Sequence, residues 1–408
     1  MKHIYIFNHT CKGARFGVGA YIQQLLQLKH CGFAMHVVHL NAGSVDVSVQ
    51  MEDGVEVIYF PNPVLAPLEK IKSGDYCINV IRILRQYIDR NADNIFHLNY
   101  IEYSDLAKYI QQYLKGKTVF TIHYSQSLFS LCGNIAKLRE IIASPETENE
   151  TPNIAVIRNE VRNVRQITNR YVDRVVSISQ HSLLQNNDIY QIENTKNTLI
   201  YNALCDYLRV DVSAKTENKK SLGISCSEKI IVFAGRLDEI KGVQCLLQAL
   251  TVVKNKGIKF HLFISGRGNF EAAMDYIHDL YTHITFTGFL EKERLFQLFS
   301  AADIGVFPSL YEEFGYVILE MMMHRLPVVA YRTSGPAEII EDGHTGLLAD
   351  MSIEDPEYSI KNLAEKIEFL LVNPKECRRM GAAGRKRFLK YFSTKTFNKK
   401  MIDLYSSL

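Results

Sequence analysis

Short β-rich runs alternate with helical patterns from one end of the chain to the other, and some of the runs are apolar without a break, as in Lys229–Ala234. A strand that is apolar throughout is buried on both faces, which requires helices on both sides of a parallel sheet. Candidate strands begin at Ile4, Met35, Ile95, Thr118 and Val175, and again at Ile230, Phe260, Ile284, Ile304 and Val328. A polar, lysine-rich stretch, residues 214–220, separates the two sets. With 408 residues the chain is too long for one ordinary domain. The expected architecture is α/β, with Rossmann-like doubly wound domains at 1–205 and 206–385 and a hinge near 203–215. A last helix within 386–408 is expected to return to the N-terminal domain.

Composition narrows the function classes. A net charge of +3 offers no global basic face for nucleic acid. The eight cysteines include no C-x-x-C pair, so neither a zinc site nor a disulfide framework is indicated. The first residues, Met1–Asn8, turn polar at once and read as a strand, and no run approaches a membrane span. A cytoplasmic location is expected.

The most informative stretch is Phe307–Glu320, followed by Met321–Ala330. A strand ending near Pro308 leads through a loop into a helix that starts around Gly315. Free backbone N–H groups at a helix start suit a phosphate. Glu320, further along the helix, could accept bonds from vicinal hydroxyls such as those of a ribose, and Glu312 stays in the loop. Taken alone, such glutamates are as easily solvated surface charges. A second block, Val232–Gly242, ends a strand and opens a helix, with Arg236 and Lys241 on the way. Two fixed cations beside a helix start suit a diphosphate.

These two blocks closely resemble the family-4 retaining glycosyltransferases, whose signature is two glutamates at this spacing around Phe-Gly, then a helix and Pro-Val-Val. The resemblance implies the GT-B fold, two Rossmann-like domains facing across a cleft, and a nucleotide-sugar donor (UDP- or GDP-linked). It assigns Glu312 to the donor sugar, Glu320 to the nucleotide ribose, and Arg236 and Lys241 to the leaving diphosphate, in place of a metal. Phe314, Gly315, Tyr316 and Val317 fall at the donor helix. Gly288, Phe289 and Leu290, in Phe286–Leu290, fall where the backbone contacts the base. Ser265–Gly268 matches a strand-end glycine turn. No D-x-D motif occurs, so no metal or other cofactor is expected.

In the N-terminal half, Lys12–Ala20 follows the first strand. Gly13, Gly17 and Gly19 do not make G-x-G-x-x-G, which disfavours a dinucleotide-dependent dehydrogenase. In the resembled family this loop arches over the donor phosphate, with Gly17 and Gly19 permitting close backbone approach. His123 ends a buried strand, where a lone histidine is as readily structural, and the family places a histidine there against donor sugar hydroxyls. Asn202, in Leu199–Ala203, reads as structural and near the hinge.

The acceptor is implied to be a saccharide or a lipid-linked saccharide. Between Ile154 and Arg174 an apolar stripe (Ile157, Val161, Val164, Tyr171) runs beside Arg158, Arg162 and Arg165. This is the pattern of a packed surface helix or of peripheral contact with an anionic membrane. Residues 140–153 have the composition of a mobile loop. The chain departs from the family at Arg325, where glycine is usual, and at Arg267, where an acid is frequent. A non-glycine residue in a left-handed cap costs roughly 1–2 kcal/mol, so a different helix ending is expected at Arg325. The resemblance is strong over about 230–348 and diffuse before that. A nucleotide-sugar epimerase, a phosphorylase and a non-catalytic sugar-nucleotide-binding subunit remain open as alternatives.

Overall fold

The computed structural model describes residues 1–9, 17–61, 73–147, 150–208, 215–225, 227–352 and 354–408. The chain packs as two units, Met1–Ala203 joined by Thr394–Leu408, and Leu204–Ser393.

Among the described residues the first unit holds eight strands: β1 (Lys2–His9), β2 (Ala34–Ala42), β3 (Ser48–Glu52), β4 (Val55–Pro61), β5 (Asp93–Leu98), β6 (Lys117–Ile122), β7 (Arg174–Ser177) and β8 (Asn197–Leu199). They lie in the order β3-β4-β2-β1-β5-β6-β7-β8. Every neighbouring pair is parallel except the β3–β4 hairpin. The hairpin is absent from the sequence expectations. Its turn is Asp53-Gly54, both at positive φ (49° and 76°), the conformation that a two-residue hairpin with matching twist demands.

The C-terminal helix Thr394–Ser406 completes this unit. Phe397, Met401, Leu404 and Tyr405 are buried among Tyr21, Leu25, Ile95 and Val119. The crossing point is not at 386. Helix Pro374–Tyr391 runs through Lys386 without a break, so the chain changes units at 393/394.

The second unit contains β9 (Lys229–Ala234), β10 (Phe260–Ser265), β11 (Ile284–Gly288), β12 (Ile304–Phe307), β13 (Val328–Tyr331) and β14 (Gly346–Ala349). The order β11-β10-β9-β12-β13-β14 is wholly parallel. Strands β12, β13 and β14 are buried along their length, as their unbroken apolar sequences require. Successive strands step outward from β9 in one direction and from β12 in the other. Such a switch in strand order opens a crevice at the carboxyl ends of the two central strands.

The lysine-rich stretch that separates the two sets of strands is itself structured. Residues Lys215–Ser221 form a helix, on which Lys215 (2.9 Å) and Lys219 (2.8 Å) both pair with Asp303. Hinge residues 209–214 lie outside the described residues. Of the loop expected at 140–153, the first part belongs to helix Ile135–Ala143 and the last to helix Pro152–Tyr171. That second helix buries Ile157, Val161, Val164 and Ile167 within the unit. Its arginines have internal partners: Arg158 pairs with Glu150 at 3.0 Å, Arg162 with Glu146, and Arg165 donates to the Ile189 carbonyl at 2.9 Å. The stripe residues Ile157, Val161 and Val164 and the arginine row have partners within the unit, as the packed-surface-helix reading has it. Among the described residues no helix is long and apolar enough to cross a membrane.

Candidate active site

In the second unit the loops after β9 and β12 meet at the switch in strand order. Gly242 makes the approach possible. It sits at φ 68°, where a Cβ would lie 2.0 Å from the Pro308 carbonyl oxygen. Leu310 N–H donates to the Ile240 carbonyl at 2.8 Å, sewing the loops together. Asp238 caps the short helical turn Glu239–Lys241 by accepting from the Lys241 N–H at 3.1 Å.

The outcome is an ion pair between Lys241 Nζ and Glu312 Oε2, residues 71 positions apart. Both side chains are mostly buried, at 17% and 22% exposure. The ammonium also lies 5.7 Å from the centre of the Phe307 ring. Arg236 stands nearby in the same loop, more exposed, with Nε 2.8 Å from Asp238. Glu312 is held from behind, because its carbonyl accepts from Gly335 N–H at 3.0 Å and Ser334 Oγ at 3.2 Å.

Gly315, at φ 112° and ψ 68°, is the N-cap of helix Tyr316–Met323. Only glycine takes that conformation without strain. Tyr316 and Val317 open the helix and are half-buried. Phe314 points the other way, 2% exposed, with its ring 6.0 Å from Phe392. Its side chain packs the unit and leaves only backbone for a ligand. Glu320 is half-buried on the same helix. Burial pushes its carboxyl up to about 7, against the opposing pull of Lys292.

Further round the sheet edge, Gly288 ends β11 at φ 68° and its carbonyl accepts from Gly266 N–H at 2.9 Å. Phe289 and Leu290 follow, half-buried. Arg267, the departure from an acid, places its guanidinium 4.6 Å from the centre of the Phe289 ring. At Arg325 the helix ends as it would with glycine. Arg325 adopts φ 56°, its N–H donates to Met322 O at 3.0 Å, and Leu326 N–H donates to Met321 O at 3.0 Å. This is the Schellman ending, with arginine absorbing the left-handed strain, so the expected change in geometry does not occur.

In the first unit, Gly17 and Gly19 do not lie in a loop. They form the opening turn of helix Gly17–Leu26. Residues 12–16, including Gly13, lie outside the described residues. His123 follows β6 and is buried, its Nε2 3.1 Å from Asn99 Oδ1, its ring edge-on to Tyr21 at 4.6 Å. Burial lowers its pKa to about 3. Beneath it runs a buried hydrogen-bonded row: Tyr21 Oη to Thr121 Oγ1 (2.8 Å), Thr121 to His97 Nε2 (2.7 Å), and His97 Nδ1 to Tyr405 Oη. Glu160 secures the turn after His123 by accepting from Ser125 Oγ at 3.1 Å and from the Ser127 N–H. None of Asn99, His97, Thr121, Tyr21, Tyr405 or Glu160 is singled out by sequence reasoning. Apart from the bond of Asn99 to the His97 carbonyl, their partners lie 24 to 308 residues away, and no local motif marks them. Asn202, 1% exposed, keeps Oδ1 buried without a hydrogen bond.

Two doubly wound α/β units, each built on a largely or wholly parallel sheet, define a GT-B-type protein. Over 100% of the chain and 99% of the other, the fold is similar to that of sucrose-phosphate synthase from Thermosynechococcus elongatus, at TM-score 0.77 and 20% identity. It is also similar to HepE of Anabaena, solved in complex with UDP, at TM-score 0.70 and 20% identity over the whole of both chains. Residues 214–387 match the family model described as Glycosyl transferases group 1. The chain is 30% identical over 186 residues to the alpha-D-kanosaminyltransferase of Streptomyces kanamyceticus, covering 45% of this chain and 46% of that one. It is 30% identical over 192 residues to the alpha-maltose-1-phosphate synthase of Mycolicibacterium smegmatis, covering 45% and 49%. The chain thus spans about half the length of the curated relatives it matches.

Proposed function

We propose that the chain is a metal-independent, retaining glycosyltransferase that moves a sugar from a nucleoside-diphosphate donor to a saccharide or lipid-linked saccharide acceptor. The observation that carries this reading is the Lys241–Glu312 pair at the switch in strand order, with Arg236 beside it and the Gly315-capped helix next to it. Diphosphate gains negative charge as its bond to the sugar breaks. Lys241, Arg236 and the N–H groups of the helix start supply fixed positive potential where that charge develops. When the diphosphate takes over Lys241, Glu312 loses its internal partner and its oxygens turn to the sugar hydroxyls. Glu320 accepts from the ribose diol.

Among the described residues no three His, Cys, Asp or Glu side chains are grouped to hold a metal ion. In this reading Arg236 and Lys241 take over the diphosphate neutralisation that a bound cation performs elsewhere. The motif presents no carboxylate as a nucleophile. Departure of the diphosphate and attack by the acceptor are therefore read as occurring on the same face of the sugar.

A thermal-shift screen against UDP, GDP, ADP and their sugars tests the donor site. One nucleotide is expected to raise the midpoint of the wild-type chain and to leave Glu320→Ala and Arg236→Ala unmoved. The wild-type shift should shrink as pH falls below about 7, where Glu320 becomes protonated, and Glu320→Ala should show no such trend. A shift of equal size in both variants would remove the proposed site.

A further inference from the structure

We propose that Asn99 is a positioning residue that fixes His123 in one tautomer, with the proton on Nε2, so that Nδ1 is left to accept from a hydroxyl of a ligand bound at the first unit. That this ligand is a saccharide rests on the glycosyltransferase reading; the tautomer does not.

The geometry of Asn99 carries the argument. Its Nδ2 lies 3.1 Å from the Phe7 carbonyl oxygen and 3.4 Å from that of His97. Both partners are acceptors only, so the side-chain nitrogen must face them. Turning the amide over would set Oδ1 against two carbonyl oxygens with no proton between, at a site 1% exposed. Oδ1 is therefore the atom that faces His123 Nε2 at 3.1 Å. Since Oδ1 can only accept, Nε2 carries the proton.

A neutral imidazole with Nε2–H has its lone pair on Nδ1. Burial holds His123 neutral, and its titratable neighbour His97 is itself held neutral by burial and sits within hydrogen bonds to Thr121 and Tyr405. Tyr21 meets the imidazole edge-on and is held through its hydroxyl by Thr121. Among the described residues no carboxylate is bonded to the ring to favour an imidazolium. His123 thus recognises a hydroxyl that donates.

The test uses the full chain labelled with ¹⁵N-histidine, with His123 assigned by comparison with His123→Gln, and long-range ¹H–¹⁵N correlations that report which ring nitrogen is protonated. The wild-type protein is expected to show Nε2–H at pH 7. Asn99→Leu, which removes the acceptor, is expected to give signals averaged between the two tautomers. A proton on Nδ1 in the wild type, or an unchanged His123 pattern in Asn99→Leu, overturns the proposal, and the wild-type spectrum decides even if the leucine variant fails to fold. No donor is present in the sample, so the result stands apart from whether sugar transfer is later detected.

Discussion

Lys241→Ala is expected to lower kcat/KM by about 10²–10³, the loss typical of removing one preorganised group that stabilises developing charge. Lys241 is the better fixed of the two cations. It is mostly buried, paired to Glu312 and set over the Phe307 ring, whereas Arg236 is 59% exposed, with Nε 2.8 Å from its neighbour Asp238. A group already held in place reorganises little during the reaction, so its removal costs more. The fold should register the change as well, because Glu312 is only 22% exposed and loses its partner, and breaking a buried pair from one side costs up to about 3–5 kcal/mol. Initial rates beside a thermal midpoint separate the two effects. A rate within a few-fold of wild type would mean that Lys241 serves only to hold Glu312.

The second large effect concerns stability. Asp303 lies at the start of β12 and accepts from Ile230 N–H at 2.8 Å while pairing with Lys219 and Lys215. Lys219 is 4% exposed. Asp303→Asn leaves two ammonium groups without their counter-charge, and breaking a buried pair from one side costs about 3–5 kcal/mol. For a chain of this size that corresponds to a fall in Tm on the order of 10 °C. Differential scanning calorimetry measures it, and a fall of under about 2 °C would show the triad to be dispensable.

The same carboxylate has a pH signature. Burial alone would raise the Asp303 pKa, but Lys215, Lys219 and the Ile230 N–H outweigh it and hold the group below its ordinary value. A carboxylate depressed in the folded state stabilises the fold above its unfolded pKa of about 3.9, and that contribution disappears as pH falls through the folded value. The difference in Tm between wild type and Asp303→Asn should therefore be constant through neutral pH and narrow only below about pH 4. Lys215 is nonetheless pulled below its ordinary value, chiefly by burial. The two partners' shifts thus disagree in sign about the pair. The carboxylate is the better guide, since it gathers three donors at once.

Most of the parallel sheet was legible because a strand buried on both faces writes its burial into consecutive residues, as at Lys229–Ala234. The pairing of Lys241 with Glu312 could be expected only as a shared site, because their contact depends on Gly242 tolerating the Pro308 carbonyl 2.0 Å from where a Cβ would stand. Local composition misled where tertiary partners decide. Lysines at 215–220 look like a solvated linker until Asp303, more than 80 residues on, is seen to neutralise two of them. The arginines of helix Pro152–Tyr171 look free until Glu146, Glu150 and the Ile189 carbonyl are placed beside them. Asp53-Gly54 was a readable hairpin signal passed over in favour of the parallel pattern. The row Tyr405–His97–Thr121–Tyr21 carried no signal at all, since a buried polar row is defined only by the fold that closes it.

The central claim is tested most directly by incubating the chain with the nucleotide sugar that shifts its midpoint, a saccharide acceptor and excess chelator, and reading the product by anomer-resolved NMR. The account predicts undiminished turnover and an α-linked product from an α-linked donor. An inverted product, or turnover that vanishes in chelator and returns with magnesium or manganese, would contradict it.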